Sequence, residues 1–491
     1  MKLSIPASEI KTAIQGLARV QQRGHLPVLN CVHFAVDAAE CVSMTATNLT
    51  ETLTYQVRDT ACNDGPGMFL CPITDLKTIA KAAQRNSTVS FELTDDAVVV
   101  RTDVGGNEIV RAIATVSIDE WPAGPDLDIT YQTCDVTGFV EAMRCALGFA
   151  SKDSTRQVLN SVLLHAERKT VVATDGRRLT RLELPEIPFG DADLIVPRTK
   201  VLTSKTLEAD TGTVGMHCSD DVSHLGIEAG PWSYLVRCLD GTYPNYEQVV
   251  PTHDNWLGTI EFADTDIVTL KSVMRQFPED SHDAIAIYAD ADVVAVVAGR
   301  EGEFTHVALA ETRFDDERAV VRCVNRNFLM DALNAGFTGM KIPIEATTPV
   351  RFHGVRAGLH VLMPLRDIAA QPVIEYVETK VKTTIQKTQE EPLTTNTESK
   401  EPADATSATV PAHNPDLTVV EPEDPITALR TGIDEVAASI RAASDLLRNL
   451  KKQAREAERA LQKREKQITT RERKVQTVTD QLAGLKDAVG F

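Results

Sequence analysis

The nine cysteines include no Cys-x-x-Cys pair, and the chain carries no P-loop, no His-Glu-x-x-His and no Gly-x-Ser-x-Gly. The scattered thiols (Cys31, Cys41, Cys62, Cys71, Cys134, Cys145, Cys218, Cys238, Cys323) read as small buried hydrophobes of a reducing compartment, not as a disulfide framework or a metal site. Without a phosphate cradle, a zincin helix or a nucleophile elbow, nothing points to a reaction: the chain reads as a non-enzyme with no cofactor and no metal. Apolar runs are short as well. None approaches the roughly 20 residues that span a bilayer, and the opening MKLSIPASEI lacks the apolar core of a secretory signal. The expectation is a cytoplasmic protein with no membrane contact. Positive charge is scarce too, with 51 Lys and Arg against 70 Asp and Glu and a net charge of −19. An evenly acidic surface would repel phosphates. Net charge does not say where charges sit, however, and an acidic outside with a basic inner face would suit a protein that surrounds nucleic acid without sticking to it.

What the chain does have is an internal echo. Val28-Leu29-Asn30-Cys31-Val32 matches Val158-Leu159-Asn160-Ser161-Val162, and Ala46-Thr47-Asn48-Leu49 matches Ala173-Thr174-Asp175-Gly176, at offsets of 130 and 127 residues. Solenoid repeats run about 20 to 50 residues, so this spacing reads as duplication of whole domains. A third, more diverged copy places Val324-Asn325-Arg326 in register with Val196-Pro197-Arg198 and Cys71-Pro72. Each copy reads as helix, strands, helix, strands.

Apolar periodicity predicts helices over 7–22 with Ser8 as N-cap, 71–85 with Pro72 near its start, 136–149, 264–277, one opened by Pro197 and one opened by Val324-Asn325. Alternating Val, Phe and Thr predict the intervening strands. The helices carry basic residues opposite their apolar stripes: Lys11, Arg19 and Arg23; Lys77 and Lys81; Arg144, with Lys152 just beyond; Arg198, Lys200 and Lys205; Lys271 and Arg275; and Arg326. The ordinary reading of such charges is a solvated face. Against it, Lys77/Lys81 and Lys271/Arg275 set like charges at i and i+4, which costs a few tenths of a kcal/mol. That choice suits a surface facing phosphates.

Four segments in this order and spacing, Ala173-Thr174-Asp175-Gly176-Arg177-Arg178-Leu179, Val196-Pro197-Arg198, Asp240-Gly241-Thr242-Tyr243-Pro244-Asn245-Tyr246 and Val361-Leu362-Met363-Pro364-Leu365-Arg366, resemble the bacterial beta sliding clamp, the processivity subunit of replicative DNA polymerase III. The resemblance spans about residues 1–367. It implies an α+β fold of three tandem clamp-type domains, each with outer antiparallel sheets and two inner helices, over 1–125, 126–251 and 252–369. It further implies a homodimeric head-to-tail ring around duplex DNA, contacting it without reading sequence. The implied partners are the replicative polymerase, the clamp loader and other proteins bearing a clamp-binding motif. Their docking pocket falls on Leu159, Thr174, Gly176, Arg178, Leu179, Pro244, Val249, Pro349, Val361, Leu362, Met363, Pro364, Leu365 and Arg366. Aliphatic side chains and a flexible Met suit the apolar anchors of a short peptide. Some positions depart from the pattern. Gln248 stands where a basic residue is usual, and Gln157-Val158 where aromatic residues are often found. The 103–111 segment lacks the aromatic that commonly crosses the ring interface, leaving Phe277 as the expected contributor from the other side. An alternative reading is a clamp-like association scaffold that does not encircle DNA.

Beyond the resemblance, residues 370–424 read as a disordered acidic linker rich in Thr, Glu, Pro and Ala. Residues 425–491 read as a coiled-coil helix: Ile426, Leu429, Ile433, Val436 and Ile440 begin an a/d seam that runs to Val489, interrupted by Arg464 and Arg471. Such a tail would clip two protomers together or recruit another coiled-coil protein.

Overall fold

The computed structural model describes residues 1–384 apart from 22–25, 59, 63–64, 85, 95–96, 126, 185–191, 219–221, 252–254, 279–281, 301–302 and 355–357. The expected coiled coil, most of the expected linker and Arg23 lie outside the described residues. The elements repeat three times. The first set is β1 (Lys2–Pro6), α1 (Ala7–Val20), β2 (Cys31–Val36), β3 (Val42–Thr47), β4 (Glu51–Val57), β5 (Ala61–Cys62), β6 (Gly67–Pro72), α2 (Ile73–Ala82), β7 (Thr88–Leu93), β8 (Ala97–Val104) and β9 (Asn107–Ala114). The second is β10 (Thr130–Cys134), α3 (Val136–Phe149), β11 (Ser161–His165), β12 (Thr170–Thr174), β13 (Arg178–Glu183), β14 (Leu194–Pro197), β15 (Gly212–Cys218), β16 (Ser223–Ala229) and β17 (Trp232–Arg237). The third is β18 (Trp256–Glu261), α4 (Asp264–Val273), β19 (Ala284–Ala289), β20 (Val294–Arg300), β21 (Glu303–Leu309), β22 (Arg313–Phe314), β23 (Val320–Asn325), α5 (Arg326–Asn334), β24 (Gly339–Pro343), β25 (Val350–His353), β26 (Gly358–Leu362) and the added helix α6 (Ala370–Tyr376).

Among the described residues all pairings are antiparallel, and two of the four sheets run across unit boundaries. An eight-stranded sheet in the order β10-β15-β16-β17-β4-β3-β2-β6 joins the first and second units, with Trp232 opposite Tyr55 and Val236 opposite Glu51. A nine-stranded sheet, β14-β11-β12-β13-β26-β25-β24-β18-β22, joins the second and third, with Arg178 opposite Leu362. The end sheets are β5-β1-β7-β8-β9 and β21-β20-β19-β23. The helices bury one stripe each into a continuous apolar core: Ile10, Ile14 and Leu17 on α1, Leu76 and Ile79 on α2, Phe139, Val140 and Met143 on α3. Gly16 is small for a reason, because a Cβ there would run into the Trp232 ring.

Four sequence expectations are corrected. Ser8 does not cap α1: the helix starts one residue earlier at Ala7, directly after extended Pro6, and the Ser8 carbonyl accepts the Thr12 hydroxyl inside the helix. Cys71 and Pro72 end β6, so α2 begins at Ile73. Pro197 likewise ends β14, and the expected helix after it is a run of turns over 200–207. There the Thr203 and Ser204 hydroxyls bond back to the carbonyls of Thr199 and Val201, and Ser204 also meets Thr206, the local competition that makes such residues poor helix formers. Finally, the expected linker does not start at 370. α6 continues through a wide turn at Val377–Lys382 and lies on the β19–β23 sheet, burying Val373, Val377 and Val381 against Ala286, Tyr288 and Val297. Four residues overshoot an α-turn of about 3.6. The wider turn takes up that overshoot, so the three valines, each worth about 1.5–3 kcal/mol when buried, stay on one face.

Each unit uses the segment after its last strand in the same way. Val116, Ile118 and Trp121 cover Val28, Cys31 and Leu70 in the first unit; Tyr243 and Tyr246 cover Leu163, Val172 and Ile195 in the second; Ile368 and the α6 valines cover the third.

Candidate functional site

The turn between β12 and β13 is the local signature of the repeat. Asp175 accepts the N–H groups of Arg177 and Arg178 at 2.9 and 3.0 Å, and the Thr174 hydroxyl donates to the Arg178 carbonyl while accepting from the Gly176 N–H. The same pattern occurs in the first unit, where Asn48 accepts from Thr50 and Glu51; in the third unit a similar Asx turn closes the preceding hairpin, between β19 and β20, where Asp290 accepts from Asp292 and Val293. A short Asx side chain closing its own turn explains why the motif is repeated. Gly176 sits at φ 88°, and its first-unit counterpart Leu49 holds φ 74° despite its Cβ.

Beside this turn is an open cleft of about 280 Å³. It brings together Leu159, Thr174, Gly176, Arg178, Leu179, Pro244, Val249, Val361 and Met363 from the sequence expectation, and adds Arg177, Asn245 and Tyr246. Its walls come from the β12–β13 turn, the 244–249 segment and the end of β26, so the cleft lies at the junction of the second and third units. Val249 and Met363 leave 48% and 43% of their surface exposed, an unusual cost that an apolar ligand would remove. The Met363 N–H bonds the Arg177 carbonyl at 3.0 Å and fixes the two walls to each other. Pro349, Leu362, Pro364, Leu365 and Arg366 do not line this cleft. Leu362 is fully buried in the core, Leu365 donates its N–H to the Cys323 carbonyl and packs toward α6, Pro349 and Pro364 are half-buried, and Arg366 is exposed.

Arg178 anchors the site. Its guanidinium, 4% exposed, bonds Asp175 at 3.0 Å and Asp331 of α5 at 2.7 Å, and stacks over Phe328 and Phe149 at 4.3 and 5.1 Å. Behind it, His360 is wholly buried with Nδ1 2.7 Å from the Thr180 hydroxyl. Burial, then repulsion from Arg178, pushes its pKa down to about 3, so the ring is neutral.

The basic helix residues divide into two groups. Arg19, Lys81, Lys152, Lys200, Lys205, Lys271 and Arg275 are exposed, while Lys11 and Lys77 are half-exposed, with the Lys11 ammonium donating to the Ala83 carbonyl at 2.7 Å. Arg19, Arg198 and Lys200 share a cavity with Arg237 at the junction of the first two units. Three expected surface cations are instead absorbed. Arg326 is 8% exposed, pairs with Asp283 at 2.6 Å and donates to the carbonyls of Met274, Phe277 and Pro278. Arg144 pairs with Glu208 and Glu141, and Arg198 is half-buried with its guanidinium on the Leu147 carbonyl. Phe277, expected at the ring interface, is 4% exposed inside the third unit, packed in the same core as Ile267 and Met274. Ile109 and Val110 of β9 are exposed within the 103–111 segment that the sequence reading set at the ring interface, and Val268 of α4, which it did not single out, is exposed too. The exposure of the two β9 residues follows from that strand's place at the end of its sheet, which no local pattern encodes.

No family model matches the chain. Among curated relatives, the beta sliding clamp of Pseudomonas aeruginosa is 28% identical over 243 residues, covering 47% of this chain and 63% of that protein. The beta sliding clamp homolog GriR of Streptomyces muensis is 25% identical over 340 residues, 68% of this chain and 88% of its own. The solved structure of the DNA polymerase III subunit beta from Pseudomonas aeruginosa superposes with a TM-score of 0.63 at 21% identity, covering 74% of this chain and 100% of that one.

The chain is a relative of the bacterial beta sliding clamp. It spans less than two thirds of the length of the Pseudomonas clamp it matches in sequence, although the fold comparison takes in that structure's whole chain. The clamp fold accordingly accounts for the three repeated units. Gln248, singled out in the sequence as a departure from the clamp pattern, is exposed next to the cleft residue Val249.

Proposed function

We propose that this protein is a DNA sliding clamp, in which two copies close head to tail around duplex DNA and the cleft at Leu179 and Met363 holds short apolar motifs of the polymerase, the loader and other partners. The observation that carries the reading is the bookkeeping of strand edges. Each unit has one half-sheet ending in β4, β13 or β21, and another ending in β17, β26 or β9. Within the chain β4 pairs with β17 and β13 pairs with β26. The equivalent pair that remains is β21 with β9, and among the described residues each is hydrogen-bonded on one side alone. A second copy offers each its missing partner, and closure removes edges that would otherwise template aggregation. The exposed Lys81, Lys200, Lys271 and Arg275 supply a loose phosphate-facing surface.

The test is charge reversal. Replacing Lys77, Lys81, Lys271 and Arg275 by Glu is expected to abolish processive synthesis with a loader present while leaving cleft binding of a motif peptide intact. Unchanged processivity would favour the scaffold reading instead.

A further inference from the structure

The added helix α6 touches the strand that the ring reading leaves open. Tyr376 donates its hydroxyl to the Phe304 carbonyl of β21 at 3.1 Å, lies 2.9 Å from His306 Nδ1, and packs its ring against both side chains at 5.2 and 5.5 Å. The residues of β21 that face α6, Phe304 and Ala308, are partly buried through this cluster and not by the main core. Further along, Lys382 bridges Asp290 at 2.5 Å, and Asp290 also accepts the Tyr288 hydroxyl. The helix is thus held at its middle by the end strand and near its end by the turn between β19 and β20. α6 follows residues 1–367, the span of the clamp resemblance, and is in that sense an addition to it.

We infer that α6 is a buttress for the ring seam: it holds β21 in the shape that receives the second copy's Asn107–Ala114 strand, and Tyr376 is the residue that transmits this. The occupant of the seam is a second copy of this chain, because β21 and β9 complete the two pairings already made inside it. The inference rests on the ring reading. It also offers a physical substitute for the aromatic residue missing from 103–111. Here the aromatic stands on the receiving side, against the back of the joining strand, and not on the strand that enters.

Hydrogen exchange on the full chain separates the possibilities, since β9 belongs to the first unit and has no contact with Tyr376 among the described residues. In the wild-type protein, β9 amides are expected to be protected at high concentration and to lose protection on dilution. Tyr376→Ala should lower β9 protection about tenfold at the same concentration, and Tyr376→Phe, which keeps the ring and loses the hydroxyl, should lower it less. If Tyr376→Ala exposes β21 but leaves β9 protected, α6 is a local packing element and the inference fails while the ring stands. If wild-type β9 exchanges independently of concentration, the ring reading itself fails.

Discussion

Arg178 sits where two units, a turn and an inner helix meet, so its loss reports on all of them. Arg178→Lys keeps the charge but gives up the fork to Asp175 and Asp331 and the stacking on Phe149 and Phe328; the expected cost is about 1–3 kcal/mol, read as a lower denaturation midpoint. Gly176→Ala places a Cβ at φ 88° and should cost about 1 kcal/mol and weaken peptide binding, measurable by titration of a fluorescent motif peptide. His360 gives a pH signature. Its folded pKa lies far below that of the unfolded chain, so its contribution is intact at neutral pH and is lost as pH falls from about 6.5 toward its folded value of about 3. Replacing it with Leu should flatten the stability profile over that window. At this scale the sequence was partly legible. The turn residues around Asp175 could be read because their partners are two or three positions away. Arg326 and Arg144 could not, because Asp283 and Glu208 reach them from 43 and 64 residues off.

Among the elements, α3 is bounded as its periodicity predicts, with Asp135 capping Gly138 N–H at 2.9 Å and a nearly complete apolar stripe. The 198–207 stretch offered a Pro start but only Val201, Leu202 and Leu207 as apolar residues, and hydroxyl side chains overrode the helix. α6 was hidden for the opposite reason: its composition is polar enough to pass for linker, and three valines at i, i+4 and i+8 become informative when a sheet is there to receive them. The Asp290 carboxyl tests its docking. Burial would raise its pKa, but the Lys382 and Tyr288 bonds outweigh that and leave it below the ordinary Asp range. The contact therefore stabilises the helix above that range and is lost as pH falls through the lowered value. Asp290→Asn should make α6 amides exchange faster at neutral pH, with little further change in acid; equal exchange in both proteins would show that the bridge contributes nothing.

For the whole molecule, the tension between a net charge of −19 and a DNA partner resolves if basic residues gather on inner helices and topology does the holding. The threefold repeat, the helix faces and most of the cleft could be read from residues 1–367 by pattern and resemblance. The edge arithmetic could not, because strand order in a sheet is a long-range property, and it is what gives the ring its strongest support. The most direct measurement loads the protein onto nicked circular DNA with a clamp loader, removes the free protein, and then cuts the circle. The account predicts stable retention on the circle and loss from the cut molecule by sliding off the ends; equal retention on both, or none on either, would contradict encirclement.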